Sequence, residues 1–218
     1  LFDSHGLVTK DREGLTPLKQ KFAHEQEPQS TFLDAIGEVK PTAIVGCAAQ
    51  AGSFNAYVLS AMARINERPI IFALSNPTSR SECTAREAYT YTEGKCLFAS
   101  GSPFPQVEVN GKTFIPRQSN NSYVFPGIGL GLVVSSPRIV PQSVFLSAAE
   151  ALSKIVSEDD LENGSLFPSL TKIREVSQSI AAAVAEQCFT AGVAGVPKPD
   201  DLSKAIQEAM YKPVYDRI

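Results

Sequence analysis

Asparagines that could bind a small polar ligand occur at two places in this 218-residue chain. Asn76 lies in the segment 75–78, and Asn120 and Asn121 are adjacent further along the chain. An asparagine side chain both donates and accepts hydrogen bonds, so it can orient a hydroxyl, a carboxylate or a carboxamide. Taken in isolation, each asparagine is also consistent with an ordinary turn residue.

A carboxylate and a loop of small residues are candidates for binding a nucleotide. Asp3 follows a short apolar segment, and an acid at the end of the second strand of dinucleotide-binding folds binds the adenosine ribose. The alternative is that Asp3 is an ordinary turn residue, either a cap or a solvated charge, and does not bind a nucleotide. Residues 46–52 read Gly-Cys-Ala-Ala-Gln-Ala-Gly, which lets sugar or phosphate groups approach the backbone. Close packing of a strand on a helix would require the same small residues, and the segment matches neither GxGxxG nor the P-loop.

Other residues that often do chemistry lack a supporting pattern. No local pattern around His5 or His24 indicates a catalytic triad or a metal site, so we predict structural or solvated roles for both. The four cysteines form no CxxC pair, which argues against zinc and a disulfide framework and favours a reducing compartment. The glycines of residues 127–132 follow no convincing strand, and we interpret them as a helix start that packs closely on its neighbour.

Alternating strands and helices would position these candidates. The apolar pattern predicts three buried strands with two helices between them: strands 40–46, 69–74 and 96–99, and helices 54–68 and 84–91. Thr84 and Glu87 have the spacing of a capping box. Such an alternation forms parallel βαβ units, and continuous apolar strands indicate a sheet covered on both faces. The sequence therefore predicts a doubly wound, mostly parallel, Rossmann-like α/β sheet, whose ligands bind at the carboxyl ends of the strands, in loops 46–52, 75–78 and 100–102.

The pattern changes after the third strand. Residues 107–115 alternate around Asn110-Gly111, which predicts a short hairpin with a type I′ turn. Helices are predicted at 142–156, at 169–189, and from Asp200 or Asp201 to about 211. We therefore predict two domains: 1–140, part of a dinucleotide-binding domain with the hairpin inserted, and 141–218, a helical segment that packs on it.

Composition excludes several classes of function. The chain is 43% hydrophobic and 20% charged with a net charge of −3, which is typical of a globular protein. It has no basic stripe for nucleic acid and no apolar run approaching the roughly 20 residues of a membrane span. It begins Leu-Phe-Asp without methionine or leader, so we expect the inner part of a longer protein, with the amino-terminal half of the sheet incomplete.

Several long motifs of the chain resemble those of malic enzymes. They are Ile-Phe-Ala-Leu-Ser-Asn-Pro-Thr at 71–78, Glu-Cys-Thr-Ala at 82–85, Cys-Leu-Phe-Ala-Ser-Gly-Ser-Pro-Phe at 96–104, Asn-Asn-Ser-Tyr-Val-Phe-Pro-Gly at 120–127 and, less specifically, Ile-Asn-Glu-Arg-Pro at 65–69. The resemblance runs from Asp3 to about Tyr215 and covers the carboxyl-terminal portion of the family's subunit, starting inside its NAD(P)-binding domain. It implies oxidation of (S)-malate with NAD(P)⁺ and a divalent cation, followed by decarboxylation of bound oxaloacetate to pyruvate and CO₂.

The resemblance also implies roles for individual residues. Asn76 matches the asparagine that contacts malate. Asn120 and Asn121 match a pair shared between malate and the nicotinamide carboxamide or ribose. The resemblance therefore implies that Asn120 also contacts the cofactor, and we expect the same of Asn76. Asp3 and Ser4 match residues at the adenosine ribose. We expect the two asparagine-bearing loops to converge at one edge of the sheet, around a dicarboxylic acid beside the nicotinamide ring.

The loop 46–52 matches the second glycine-rich segment of the family. The match implies that Gly46, Ala48 and Ala49 contact the cofactor. Where the family commonly has glycine, this chain carries Ala49 and Ala51. Each added methyl group narrows the approach of the backbone to the cofactor.

Lys19 is the one indication of cofactor preference. It aligns with a position where NADP-dependent members carry lysine, and a cation there would pair with the 2′-phosphate, with Ser4 donating beside it. We expect NADP as the cofactor, with NAD as the alternative. The alternative is that Lys19 is an ordinary surface lysine in the stretch Lys-Gln-Lys and does not contact the cofactor.

The family's catalytic tyrosine and lysine, its three metal-binding carboxylates and its first GxGxxG match no segment of this chain. We therefore expect no catalytic residue and no metal ligand here, Mg²⁺ or Mn²⁺ bound by a preceding part, and an isolated chain that is inactive. At full length we expect an intracellular, soluble homo-oligomer acting on malate or pyruvate, without nucleic-acid or membrane partners, with the cytoplasm favoured over mitochondria and plastids. The alternative from another class is a non-catalytic nucleotide-binding or assembly module.

Overall fold

The computed structural model describes residues 1–212, which fold into two compact units. Unit 1 comprises Leu1–Gln118 and Asn163–Ser165, and unit 2 comprises Ser119–Glu162 and the described residues from Leu166 onward. The chain therefore passes from one unit to the other directly after Gln118. The division into domains at residue 140 stays a prediction.

Unit 1 contains all the strands of the described chain. Its elements in chain order are β1 (Phe2–Asp3), β2 (Gly6–Leu7), α1 (Pro17–Gln20), α2 (Phe32–Val39), β3 (Ala43–Gly46), α3 (Ala56–Ile65), β4 (Ile70–Ala73), a 3₁₀ turn (Thr78–Arg80), α4 (Ala85–Tyr91), β5 (Leu97–Ser100), β6 (Val107–Val109) and β7 (Lys112–Phe114). β1 pairs with β2 and β6 with β7, both antiparallel, and β3, β4 and β5 form a separate sheet.

The strands β3, β4 and β5 lie parallel and in that order. Ile44 pairs with Ile71, and Ile71 pairs with Phe98, so the three side chains share one face of the sheet. Each of them is at most 4% exposed. They form one apolar cluster with Leu59 and Met62 of α3, which are fully buried. The predicted α/β fold with parallel βαβ units is confirmed.

The opposite face of β3 differs from the prediction. β3 is an edge strand of the three-stranded sheet, and its Ala43 and Val45 are exposed, Val45 by 56%. On the same face, Phe72 of β4 is partly buried and Ala99 of β5 is fully buried. Within the described residues, this face of β3 is therefore not covered. An apolar run specifies a strand, but coverage of each face depends on what packs beside it.

Local sequence signals determine where the helices after β3 and β4 begin. The Glu87 N–H donates to Thr84 Oγ1 at 3.2 Å, and the Thr84 N–H donates to Glu87 Oε2 at 2.8 Å, so the predicted capping box is present. Asn55 Oδ1 accepts from the N–H groups of Tyr57 and Val58 and caps α3. These caps satisfy backbone donors that no helical carbonyl reaches, and they define where each loop after a strand ends.

The predicted hairpin is formed by β6 and β7. Asn110 and Gly111 have φ angles of 54° and 75°, and a type I′ turn requires positive φ at both positions. Phe114 stacks on Tyr89 of α4 with ring centroids 4.2 Å apart. The hairpin is therefore anchored on unit 1 by aromatic packing.

Unit 2 is helical. Its elements are a 3₁₀ turn (Asn121–Tyr123), α5 (Phe125–Ser135), α6 (Ser143–Ser153), α7 (Glu158–Glu162), a 3₁₀ turn (Leu170–Lys172), α8 (Ile173–Thr190) and α9 (Leu202–Ala209). A Cβ placed on Gly127 would lie 2.7 Å from Ile180 Cβ, and one on Gly131 would lie 2.7 Å from the Ala181 carbonyl oxygen. The interpretation of these glycines as a closely packed helix start is confirmed. None of the helices within residues 1–212 is both long and apolar enough to cross a membrane.

Candidate functional site

Three loops of unit 1 are joined at the carboxyl ends of β3, β4 and β5. The Ala49 N–H donates to Ser75 Oγ at 2.9 Å, which links the loop after β3 to the loop after β4. Ser102 Oγ donates to Asn76 Oδ1 at 2.8 Å, which links the loop after β4 to the loop after β5. The sequence predicted these three loops at the ends of the strands, and the structure shows that side-chain hydrogen bonds connect them.

Asn76 is an exposed residue whose amide oxygen is held by a neighbouring hydroxyl. Its Oδ1 accepts from Ser102, while Nδ2 makes only a 3.4 Å hydrogen bond to the Leu74 carbonyl oxygen. Asn76 is exposed and Ser102 is 3% exposed, so a buried hydroxyl orients an accessible amide. The N–H groups of such an amide suit a carboxylate, carbonyl or hydroxyl oxygen of a ligand.

Gly101 allows the loop after β5 to lie against β4. A Cβ on Gly101 would overlap the Leu74 carbonyl group and lie 2.8 Å from Asn76 Nδ2. The carbonyl oxygen of Gly101 accepts from Gln118 Nε2 at 3.1 Å. The position of Ser102, and with it the orientation of Asn76, therefore depends on a close backbone approach that only glycine permits.

The loop 46–52 exposes backbone at the end of β3. Ala48 and Ala49 are exposed, and Ala49 has a φ of 55°, in the left-handed region that alanine rarely adopts. Gly46 is buried, and a Cβ there would overlap the side chain of Glu82. The Phe54 N–H donates to the Glu82 carbonyl oxygen at 3.0 Å just after the loop. Exposed backbone between a strand and a helix is the feature that lets phosphate or sugar groups approach.

Ser75 and Glu82, for which the sequence indicated no role, support these loops. Glu82 is 1% exposed and Ser75 is 6% exposed. Glu82 Oε2 accepts from the Ser75 N–H at 3.3 Å, and Glu82 Oε1 accepts from the Ser75 hydroxyl. The signal in the sequence was their place in the motifs 71–78 and 82–85, which indicate the family but not this contact.

Asp3 ends β1 and accepts hydrogen bonds from three residues. Arg12 Nη2 donates to its two carboxylate oxygens at 2.8 and 2.9 Å, and Lys19 Nζ donates to Oδ2 at 2.5 Å. The His5 N–H donates at 2.9 Å. The hydrogen bond from Lys19, and after it those from His5 and Arg12, hold the pKa of Asp3 well below its usual range despite partial burial. The structure therefore brings together Asp3 and Lys19, two of the residues predicted to bind the cofactor.

Arg12 and Lys19 give the Asp3 cluster more positive than negative charge, because two side-chain cations contact one carboxylate. Arg12 was missed by the sequence analysis, since no motif surrounds it. Arg12 also lines an open cavity of about 540 Å³ together with Lys10 and the acid Glu13, whereas Lys19 and Asp3 do not line it. Ser4 is exposed, and its Oγ lies 3.2 Å from His5 Nδ1. The net positive charge of the Asp3 cluster suits a phosphate group.

Asn120 and Asn121 lie in unit 2, where the 3₁₀ turn Asn121–Tyr123 precedes α5. Asn120 Oδ1 accepts from the Ser122 N–H at 2.9 Å, so Asn120 does act as a turn residue. Both asparagines are exposed and accessible to a ligand. Because Asn76 belongs to unit 1, the convergence of the three asparagines on one ligand stays a prediction.

The described residues do not form a metal centre by themselves. Within residues 1–212, no three side chains of His, Cys, Asp or Glu lie close enough together to hold a metal ion. His5 is exposed and lies 3.9 Å from Asp3, whose carboxylate is already bound by two cations. No metal-assisted step can therefore be assigned to these side chains.

The known proteins described below that are similar to this chain are all malic enzymes. The family model for the NAD-binding domain of malic enzyme matches residues 1–189. The chain is 50% identical over 217 residues to the chloroplastic NADP-dependent malic enzyme of Zea mays, covering 99% of this chain and 34% of that protein. It is 46% identical over 219 residues to the mitochondrial NAD-dependent malic enzyme of Ascaris suum, covering 100% of this chain and 34% of that protein. The chain thus spans about a third of the length of these relatives.

Solved structures share its fold. The Entamoeba histolytica malic enzyme superposes with a TM-score of 0.71 at 22% identity, over 95% of this chain and 42% of that one. The Pyrococcus horikoshii malic enzyme superposes with a TM-score of 0.57 at 26% identity, over 77% of this chain and 34% of that one. The predicted Rossmann-like fold class agrees with both.

Proposed function

Because this chain belongs to the malic enzyme family, we propose that it is part of an enzyme that oxidises (S)-malate and decarboxylates the product to pyruvate and CO₂. The observation that carries the proposal is the accessible amide of Asn76, which Ser102 orients at the carboxyl end of the central strand β4. Ligands of doubly wound sheets bind at this edge. Family membership supports the reaction, and the amide supports a ligand that offers oxygen acceptors there.

In this proposal, the described side chains bind and orient the substrate. The N–H groups of Asn76 donate to a carboxylate or hydroxyl oxygen of malate, and Asn120 and Asn121 contribute further amide groups from unit 2. Holding the substrate in one orientation removes part of the entropic barrier to reaction. A bound nicotinamide cofactor supplies the acceptor for the hydride that leaves malate.

NADP is the cofactor that the Asp3 cluster favours. Asp3 alone would repel a 2′-phosphate, but Arg12 and Lys19 both bind its carboxylate and leave one excess positive charge. A 2′-phosphate carries about −1.5 to −2 charges and is paired by such cations. The Zea mays relative is NADP-dependent, whereas the Ascaris suum relative is NAD-dependent at similar identity. NAD is therefore the second candidate, favoured if Asp3 binds the ribose hydroxyls directly.

The remaining parts of the proposal concern the whole protein. Because the chain covers only 34–37% of its relatives' lengths, we assign the catalytic groups and the Mg²⁺ or Mn²⁺ site to a part outside this chain. The isolated chain is then inactive and binds NADP poorly. The same proposal includes a homo-oligomer that acts on malate or pyruvate in the cytoplasm, with mitochondria and plastids as alternatives, and without nucleic-acid or membrane partners.

The test measures malate-dependent formation of NADPH by the full-length protein with Mg²⁺ or Mn²⁺. Asn76→Ala should lower kcat/KM for malate by roughly tenfold or more, since hydrogen bonds to charged groups contribute about 1.5–3 kcal/mol. Ser79→Ala is the matched control, because Ser79 is exposed in the 3₁₀ turn that directly follows the loop of Asn76. An unmodified protein that forms no NADPH or NADH from malate, or an Asn76→Ala variant that behaves like the control, would refute the proposal.

A further inference from the structure

Glu82 is a buried acid whose side chain accepts hydrogen bonds from one residue, Ser75. Its side chain is 1% exposed, and both carboxylate oxygens accept from Ser75, one from the N–H at 3.3 Å and one from the hydroxyl. No lysine, arginine or histidine in the described chain lies within ion-pair distance of it. A buried carboxylate without a cation is costly, so its hydrogen bonds to Ser75 are essential for keeping it in place.

These contacts form a hydrogen-bond chain with a defined direction. The Ser75 hydroxyl has one proton, which it donates to Glu82, so its lone pairs are left to accept the Ala49 N–H at 2.9 Å. A carboxylate can only accept, and therefore enforces this direction. Hydrogen bonds linked in this way inside a protein strengthen one another.

Ala49 is the residue that needs such support. Its φ of 55° is unfavourable for a side chain with a Cβ, and the bond from its N–H to Ser75 holds the backbone there. At the start of the same loop, the missing Cβ of Gly46 leaves the space that the Glu82 side chain fills. The Glu82 carbonyl oxygen also accepts from Phe54 just beyond the loop. The Glu82 side chain therefore supports the middle of the loop 46–52 through Ser75 and packs against Gly46 at its start, while its backbone bonds to Phe54 beyond the end.

We propose that Glu82 is a positioning residue: through Ser75 it holds the backbone of Ala49 in the left-handed conformation in which the loop 46–52 receives the cofactor. This inference rests on the proposed function, because that function makes the loop a cofactor site. Glu82 itself touches neither substrate nor cofactor. Its loss therefore weakens cofactor binding without removing a reacting group.

The experiment uses Glu82→Gln in the full-length protein. Glutamine keeps the size of the side chain but replaces one acceptor oxygen with an NH₂ donor. The Kd for NADPH, measured by the change in its fluorescence on binding, should rise about tenfold, as expected for one lost hydrogen bond to a charged group. The kcat at saturating cofactor should stay close to that of the unmodified protein. Glu87→Gln is the control, because Glu87 lies nearby and only caps α4, and its Kd should not change.

A second substitution separates positioning from general damage. Glycine adopts positive φ without a steric penalty, so adding Ala49→Gly to Glu82→Gln should restore most of the lost affinity. If Glu82→Gln does not fold, Ser75→Ala breaks the same chain, and the same rescue by Ala49→Gly is expected. An unchanged Kd in Glu82→Gln, or a raised Kd that Ala49→Gly does not lower, overturns the inference. If instead the unmodified protein neither binds NADPH nor oxidises malate, the proposed function fails.

Discussion

Replacing Lys19 with alanine should weaken the use of NADP while leaving the use of NAD unchanged. Lys19 Nζ lies 2.5 Å from Asp3 Oδ2, and the lysine side chain is 38% exposed, so solvent screens part of its charge. A charge-assisted hydrogen bond contributes roughly 1.5–3 kcal/mol when well formed. Because Lys19 is partly exposed, we expect its contact with the 2′-phosphate to contribute the lower end of this range, so its loss should raise the KM for NADP about tenfold.

The assay compares initial rates of malate oxidation with each cofactor on the full-length protein. Lys21→Ala is the matched control, because Lys21 is exposed two residues away and forms no ion pair among those found in the described chain. The difference between Lys19→Ala and the unmodified protein should shrink at high salt, since ionic screening weakens exposed charge pairs.

Two results would refute the reasoning. An equal rise in KM for NADP and NAD would show that Lys19 supports the fold of the site rather than recognition of the 2′-phosphate. Identical kinetics of Lys19→Ala and Lys21→Ala would show that the lysine serves only to neutralise Asp3. In that case, Arg12, which donates to both Asp3 oxygens, would be sufficient for that task.

Two further predictions concern acid stability and thiol reactivity. Because the folded-state pKa of Asp3 is lowered, its contribution to stability is fully present above its unfolded pKa of about 4 and is lost progressively as pH falls from there through the lowered folded-state pKa. The free energy of unfolding of Asp3→Asn should therefore be lower than that of the unmodified protein at neutral pH. This difference should shrink in acid, and a difference that stays constant with pH contradicts the assignment. Mass-spectrometric mapping after brief alkylation should find Cys47 labelled first in this chain, because Cys83, Cys96 and Cys188 are buried and burial raises the pKa of Cys96 to about 12 and that of Cys83 further still. NADP should slow the labelling of Cys47, and rapid labelling of a buried cysteine would show that the core opens.

Local signals in the sequence were sufficient to predict the central sheet, the helices between its strands and the hairpin. The Thr84–Glu87 capping box, the hairpin turn at Asn110-Gly111 and the cap at Asp201 are all present. Each arises between residues close together in the chain, so composition and spacing determine it without reference to the rest of the molecule. The strands β3, β4 and β5 were equally predictable, because short apolar runs separated by helices have few other ways to be buried.

The candidate site was predicted only in part. The loops and Asn76 could be predicted because ligands generally bind at strand ends. The residues that hold them in place could not be predicted. Ser102, Ser75 and Glu82 lie within the motifs of the family resemblance, but neither their residue types nor their spacing indicated the hydrogen bonds that orient Asn76 and Ala49. Predicting these bonds requires knowing which loops become neighbours.

The sequence by itself determined the order of the strands and helices from β3 to β7, several caps and turns, and the family to which the chain belongs, since these depend on residue types at short spacing. Tertiary structure alone decided that Lys19 and Arg12 bind the same carboxylate, that Glu82 is buried against Gly46, and that one face of β3 is exposed. The physical reason is range: Ala49 and Ser75 are 26 residues apart, and Asp3 and Lys19 are 16 apart. Contacts across such distances exist only after packing has brought the segments together.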